Sequence, residues 1–288
     1  MECREGHTPE LYLIAGCGGR AILKGIAGSS LKERLFIRND KALQAQNYQR
    51  SLMNHLIFFA SAEGMEGTLA ELKALFPLEA SFRNPKTGGA ECLQVFLDER
   101  QEQQEGNPQV LLEIHKKPYR IPIRLEIMPY QGQGGYPQEE ILIEEGEAKQ
   151  EAIAYCKFSS EEYLARSFYE VIDALEWLDD LLWYQEIYDI LAKRAVNGRK
   201  VWECLHGLLL ERPISFLRNR LNRVKGYADY SPMEERWKAL HANDMEGYPQ
   251  WQEVIQLLGE FYTPVFEGIL KDEIFFGDWM PRLKRYLD

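Results

Sequence analysis

Long apolar runs are missing from this sequence of 288 residues. A helix that spans a membrane needs about 20 consecutive apolar residues, and no stretch of the chain supplies them. The opening residues, MECREGHTPE, also lack the basic segment followed by an apolar segment that marks a secretory signal. We therefore expect a cytoplasmic protein with no membrane partner.

Cysteine and histidine are few and scattered. The five cysteines form no CxxC pair, and the five histidines have no HExxH spacing. A disulfide framework or a transition-metal site would need clustered residues of these types, so neither is predicted and we expect reduced thiols. The residues concerned are Cys3, Cys17, Cys92, Cys156 and Cys204, with His7, His55, His115, His206 and His241.

Positive charge is in deficit, because the formal net charge is −11. Such a chain repels nucleic acid unless basic residues are concentrated on one face. Residues 193–225 reverse the balance, and a helix there would present a basic face to phosphates. Its candidate nucleic-acid-binding residues are Arg218, Arg220, Arg223 and Lys225. The alternative is that this face pairs with the acidic residues Glu176, Asp179 and Asp180.

The hydrophobic pattern changes near residue 150. Residues 1–150 mix helical and strand signals, whereas residues 151–288 repeat apolar residues at three- and four-residue spacing, which is typical of helices. We predict an α+β protein with an N-terminal mixed sheet and a C-terminal α-helical bundle. All six tryptophans lie in the second domain, where packing in a helical core is favoured over stacking on nucleic-acid bases.

The first domain is expected to contain a sheet with one solvent-facing side. In the strand at 118–130, Ile121, Ile123, Leu125 and Ile127 alternate with polar or less apolar residues. Other strands are predicted at 90–99 and 109–115, helices at 42–62 and 67–77, and a loop at 131–140. In the second domain, helices are predicted over 159–195, beginning at Ser159 or Ser160, and over 201–210, 213–226, 232–243 and 249–270.

The stretch Leu11–Asp40 is the strongest candidate for a binding site. It reads as an apolar strand, a turn containing Gly16, Gly18 and Gly19, a short helix and a second strand. Backbone N–H groups in such a turn approach phosphates closely. A dinucleotide- or S-adenosylmethionine-binding protein is one alternative, and it would require a parallel sheet.

The order of these parts resembles the AbiEii/AbiGii-type nucleotidyltransferase-like proteins over nearly the whole chain. That family has a Gly-Gly turn, a helix with small and apolar residues, an R-x-[ST]-x-D-x-D strand and a later strand that ends in a third carboxylate. The helical half is similar to two further patterns of the family and to its last helices. The matching segments are Gly18–Gly19, Ala21–Leu23, Arg34–Asp40, Glu126, Glu161–Arg166, Ile187–Ile190 and the region between Trp237 and Val265.

The resemblance implies a nucleotidyltransferase-like fold and a toxin or phage-defence protein that acts on RNA or on another protein. It implies that Asp40 and Glu126 are catalytic residues that bind Mg²⁺, which would bridge the phosphates of a nucleoside triphosphate. The nucleotide-binding residues implied are Gly18, Gly19, Arg34 and Arg38.

Two departures make the motif degenerate. Arg38 stands at the position of the first strand carboxylate, and Phe36 stands at the Ser/Thr position. A guanidinium group has only donors and cannot bind a metal ion. The alternative from another class is therefore a catalytically inactive protein-interaction or regulatory module.

Overall fold

The computed structural model describes residues 9–38, 55–84, 87–98, 106–130, 137–144, 151–210, 212–242 and 247–287. It is a mixed α/β protein. The chain divides into two compact units, Met1–Phe158 and Ser159–Asp288. The sequence predicts a boundary at residue 150, and the segment that follows this position is a strand of the first unit.

A six-stranded sheet of order β1-β2-β6-β5-β4-β3 forms the centre of the first unit. Strands β2 and β6 are parallel, and every other neighbouring pair in this sheet is antiparallel. A separate hairpin pairs β7 with β8. The strands are β1 (Phe36–Ile37), β2 (His55–Ser61), β3 (Leu78–Arg83), β4 (Ala90–Leu97), β5 (Gln109–Lys116), β6 (Tyr119–Tyr130), β7 (Pro137–Glu144) and β8 (Glu151–Phe158).

One face of this sheet is covered, and the other is polar along β6. The alternation predicted for β6 is confirmed, because its four aliphatic residues from Ile121 to Ile127 are buried while Pro122 and Arg124 are exposed. Helix α1 (Pro9–Ala27) packs on the covered face, where Ile14 and Ile22 join the hydrophobic core of the sheet. Helix α2 (Met65–Ala74) also forms where a helix is predicted.

The predicted strand and glycine turn at the start of the chain are wrong, because Pro9–Ala27 is one continuous helix. Glycine disfavours a helix by about 1 kcal/mol relative to alanine, which is why a turn is the natural expectation. Here the glycine allows close packing: a Cβ on Gly18 would lie 2.2 Å from Cδ1 of Ile114 on β5. Contact between helix and sheet therefore overrides the local preference.

The helix predicted over residues 42–62 is wrong where the structure describes it, because His55–Ser61 is strand β2. Its five central residues, Leu56 to Ala60, are all buried. A short run of apolar residues that is buried on both faces has no period that separates strand from helix. The predicted loop at 131–140 is likewise wrong over Pro137–Glu140, which belong to β7.

The second unit is predominantly helical. Ser159 caps α3, since its side chain accepts a hydrogen bond from the Glu162 N–H. The single helix predicted over 159–195 is interrupted at Leu175, whose φ of 55° lies in the left-handed region. Its helices are α3 (Ser160–Ala174), α4 (Leu182–Lys193), α5 (Gly198–Leu209), α6 (Ile214–Gly226), α7 (Ser231–Leu240) and α8 (Trp251–Lys271).

Five of the six tryptophans are buried in this unit, as the core interpretation predicts, and Trp177 is 82% exposed. A small sheet of order β11-β10-β9 completes the unit, with β9 (Val196–Asn197), β10 (Asp278–Met280) and β11 (Arg285–Leu287). Within the described part of the chain, no helix has both the length and the apolarity to cross a membrane.

Candidate functional site

A cluster of polar side chains lies on the face of the six-stranded sheet opposite α1. Strand register places it: His55 on β2 is beside Arg124 on β6, and Ile57 is beside Glu126. Residues two apart on a strand share a face, so His55, Arg124 and Glu126 lie together. With Arg38 and Asn107 they form what we call the polar-face cluster.

Glu126 is the centre of this cluster. Nε2 of His55 lies 2.8 Å from its Oε2. Nδ2 of Asn107 donates a hydrogen bond of 2.8 Å to its Oε1. His55, followed by Asn107 and Arg124, lowers the pKa of Glu126 to about 2, against the opposing effect of burial. The carboxylate is therefore ionised at neutral pH.

Two arginines lie on the same face of the sheet, and one of them acts on this carboxylate. The backbone N–H of Arg38 donates a 2.8 Å hydrogen bond to the carbonyl oxygen of Ile57, so Arg38 lies opposite Ile57 just beyond the end of β1. Its side chain is only 8% exposed. Arg124 is exposed and is near enough to help lower the pKa of Glu126. Glu126 is thus accompanied by the Arg124 guanidinium group, the His55 imidazole and the Asn107 amide.

Aromatic side chains bound the cluster where β1, β2 and β6 approach β8. The ring of Phe158 stacks on that of Phe36, with centroids 4.8 Å apart, and lies 5.0 Å from that of Phe59. Tyr130 meets the same ring edge-on at 5.3 Å. The three phenylalanines are buried. They cover this face of the sheet at Phe59, two residues after Ile57 on β2.

The structure does not assemble the site that the sequence predicts. Gly18 and Gly19 lie inside α1, on the covered side of the sheet, whereas Glu126 is on the opposite face. Amide groups in the interior of a helix are already bonded to carbonyl groups one turn earlier. The physical basis for phosphate binding by these glycines is therefore removed. Asp40 lies outside the described residues.

Arg34 also has a structural partner. Its guanidinium group pairs with Glu71 on α2 and is 3.4 Å from the hydroxyl oxygen of Ser30. This pair joins a 3₁₀ turn at Ser30–Glu33 to α2. Arg34 is therefore not part of the polar-face cluster.

The described residues do not fit a magnesium site. Both carboxylate oxygens of Glu126 already have partners, His55 on one and Asn107 on the other. Across the ranges that the structure describes, no group of three or more His, Cys, Asp or Glu side chains is placed to hold a metal ion. Mg²⁺ requires several oxygen ligands in near-octahedral arrangement.

Two arginines of the basic helix α6 have partners, and one of these partners, Glu176, is among the three acidic residues that the alternative interpretation names. Nη2 of Arg223 lies 2.6 Å from Oε1 of Glu176. Nη1 of Arg220 donates to the carbonyl oxygens of Ile172 and Asp173, at 3.1 and 3.0 Å, near the end of α3. Of the other two candidates, Lys225 is exposed, and the side chain of Arg218 is outside the described set. Arg220 and Arg223 thus stabilise the end of α3.

The sequence identifies Glu126 but not the three residues near it, His55, Arg124 and Asn107. The pattern around His55 predicts a helix, which conceals its place beside Glu126 in the sheet. Arg124 was available from the alternation in β6, which places it on the same face as Glu126. Asn107 lies before β5 and approaches Glu126 only through the β5–β6 pairing. These partners depend on contacts between distant parts of the chain.

Comparison with known proteins assigns no family. No family model matches the chain, and no curated protein matches it. The functional argument therefore depends on the geometry of the polar-face cluster.

Proposed function

We propose that this chain is a nucleotidyltransferase-like protein with a degenerate active site, which binds a nucleoside triphosphate at the polar-face cluster without transferring the nucleotide. The observation that supports this is an exposed arginine, Arg124, beside a carboxylate, Glu126, whose two oxygens already contact His55 and Asn107 on the polar side of the sheet.

Arg124 is the residue of this cluster best placed to contact a ligand. It is exposed, and its planar guanidinium group can donate two parallel hydrogen bonds to a phosphate. Arg38 is buried, and its backbone lies opposite Ile57, the neighbour of Glu126 on β2. Glu126 is near enough to interact with Arg124, but its two oxygens already contact His55 and Asn107. A phosphate group therefore gains favourable electrostatic energy at Arg124.

The loss of transfer follows from the same residues. Nucleotidyl transfer uses carboxylates that bind Mg²⁺, and the metal supplies charge stabilisation at the reacting phosphate. Arg38 replaces one carboxylate of the motif, and both oxygens of Glu126 have partners. We assign Glu126 a positioning role, in which it orients His55 and Asn107. The toxin, phage-defence and RNA- or protein-modifying roles implied by the resemblance form no part of this proposal.

Calorimetric titration with ATP, GTP, CTP and UTP, each with Mg²⁺ and with EDTA, tests the proposal. We expect at least one triphosphate to bind with an affinity that changes less than about threefold on removal of Mg²⁺. Arg124→Gln should weaken that binding about tenfold, the effect of losing one charge-assisted hydrogen bond. Arg120→Gln is the matched control, because Arg120 is an exposed arginine four residues before Arg124 and on the same face of β6.

Absence of binding to all four triphosphates would overturn the proposal. Loss of binding in EDTA together with loss in Glu126→Gln would show that Glu126 is a metal ligand. Transfer of label from an α-³²P triphosphate to the protein or to added RNA would show that catalysis is retained. Equal weakening by Arg124→Gln and Arg120→Gln would place the site elsewhere.

A further inference from the structure

The small sheet of the second unit has one packed face and one open face. Trp279 on β10 and Tyr286 on β11 point inward, with their ring centroids each 5.3 Å from that of Phe261 on α8. Nε1 of Trp279 donates to the carbonyl oxygen of Leu191, and the Tyr286 hydroxyl donates to that of Phe261. The hairpin of β10 and β11 is therefore held firmly against its own unit.

The open face and the tip of this hairpin expose large apolar side chains. Leu283 at the tip is 53% exposed, Leu287 on β11 is 39% exposed, and Phe276, just before β10, is 61% exposed. The register pairs Asp278 with Leu287 on the open face, while Phe276 precedes the strand, with Cζ of Arg199 5.3 Å from its ring centroid. The turn fixes the tip, since the Leu283 N–H donates to the Met280 carbonyl oxygen.

The same hairpin is basic. Arg282, Lys284 and Arg285 are exposed, and none of them forms an ion pair with another described residue. The one acidic residue of the hairpin that the structure describes, Asp278, accepts a hydrogen bond from Nδ2 of Asn197. In a chain of net charge −11, this surface is locally positive. We call it the hairpin surface, defined by Phe276, Arg282, Leu283, Lys284, Arg285 and Leu287.

We propose that the hairpin surface binds an acidic, apolar segment of another protein, which adds to β11 as an extended strand. Charge complementarity selects the partner. A symmetric contact between two copies of this chain would place Arg282, Lys284 and Arg285 beside the same residues of the second copy, where like charges repel. An acidic segment supplies the opposite charge.

The position of β11 supports an extended partner. Among the described strands of this sheet, β11 is at the edge, with β10 on its other side. A strand added to an edge gains main-chain hydrogen bonds, and its alternate side chains lie on one face. On the partner strand, the side chain beside Arg285 would be acidic and the one beside Leu287 would be apolar. The partner is therefore expected to alternate Asp or Glu with Val, Ile, Leu or an aromatic residue at every second position.

Selection from a displayed library of random twelve-residue peptides on the full chain tests this inference. The expected result is enrichment of negatively charged peptides with acidic and apolar residues two positions apart. Arg282→Glu with Lys284→Glu should weaken a selected synthetic peptide at least tenfold. The matched control is Lys117→Glu with Arg120→Glu, which makes the same charge change at exposed residues beside another hairpin turn. Far-UV circular dichroism of both variants checks that the fold is kept.

Enrichment that follows no charge pattern, or equal loss in the two double variants, would overturn the proposal. Vesicles containing phosphatidylserine and a uridine oligonucleotide are titrated in parallel. Binding of either probe with loss only in the Arg282 and Lys284 variant, and no selected peptide, would assign the surface to a membrane or a nucleic acid instead.

Discussion

The contacts of Glu126 with His55 and Asn107 predict a change of stability with pH that can be measured in one variant. Glu126→Gln keeps the shape of the side chain and removes the charge that faces His55. The pKa of Glu126 is lowered in the folded protein, from an ordinary 4.5 to about 2. A carboxyl group of this kind stabilises the fold at pH values above its unfolded pKa, and the contribution is lost as pH falls through the folded pKa.

The size of the effect follows from the shift. One pKa unit corresponds to about 1.4 kcal/mol, so the change from 4.5 to about 2 sets an upper limit of about 3.5 kcal/mol. The side chain is 20% exposed, and water and salt screen part of the interaction. We therefore expect Glu126→Gln to lower the free energy of unfolding by about 2 kcal/mol at pH 6 to 7. The difference from the wild type should shrink steadily between pH 4.5 and pH 2.

Urea unfolding at several pH values between 7 and 2.5 checks this expectation. Far-UV circular dichroism reports both units, whereas tryptophan fluorescence reports the second unit, because all six tryptophans lie there. Because Glu126 lies in the first unit, the loss of stability should appear in the circular dichroism transition and not in the tryptophan fluorescence transition. Glu79→Gln is the control, an exposed carboxylate on β3 whose loss should change stability by less than about 0.5 kcal/mol. If the free energies of unfolding of the wild type and Glu126→Gln differed by the same amount at pH 7 and at pH 3, the reasoning would be refuted.

Two other predictions concern packing and thiol reactivity. Gly18→Ala should destabilise the protein by about 1 to 3 kcal/mol in urea unfolding, because the new methyl group meets Ile114. Gly67→Ala on α2 is the control: nothing lies within 4 Å of the new Cβ, so this variant should be slightly more stable. An equal loss of unfolding free energy in the two variants would contradict the packing argument. Burial raises the pKa of Cys204 to about 12, so this thiol should react with a disulfide reagent far more slowly than the exposed Cys92. Mass mapping of the labelled cysteines measures the order, and earlier labelling of Cys204 would contradict it.

The periodic parts of the fold could be predicted from the sequence. The alternation of β6 and the helical spacing after Ser159 both reflect one buried side, and both are confirmed. Where a segment is buried all round, as in Leu56 to Ala60, the sequence has no period and the prediction failed. The glycines of α1 misled for a different reason, since their role appears only once the sheet lies against them.

The candidate site was predictable to a smaller extent. Glu126 could be named because it is a carboxylate on a strongly patterned strand. Its partners His55 and Asn107 come from segments that meet it only through pairing within the sheet. Charge placement across a sheet depends on register, which local sequence does not specify.

The parallel pairing of β2 with β6 has a consequence for how the protein is made. Strand β2 leaves the ribosome long before β6, with β3, β4 and β5 between them. Its apolar side chains must therefore stay uncovered during synthesis of the intervening chain, a situation that slows folding and favours aggregation. Translation stalled before residue 119 should leave the nascent first unit bound to chaperones, and release should follow the emergence of β6.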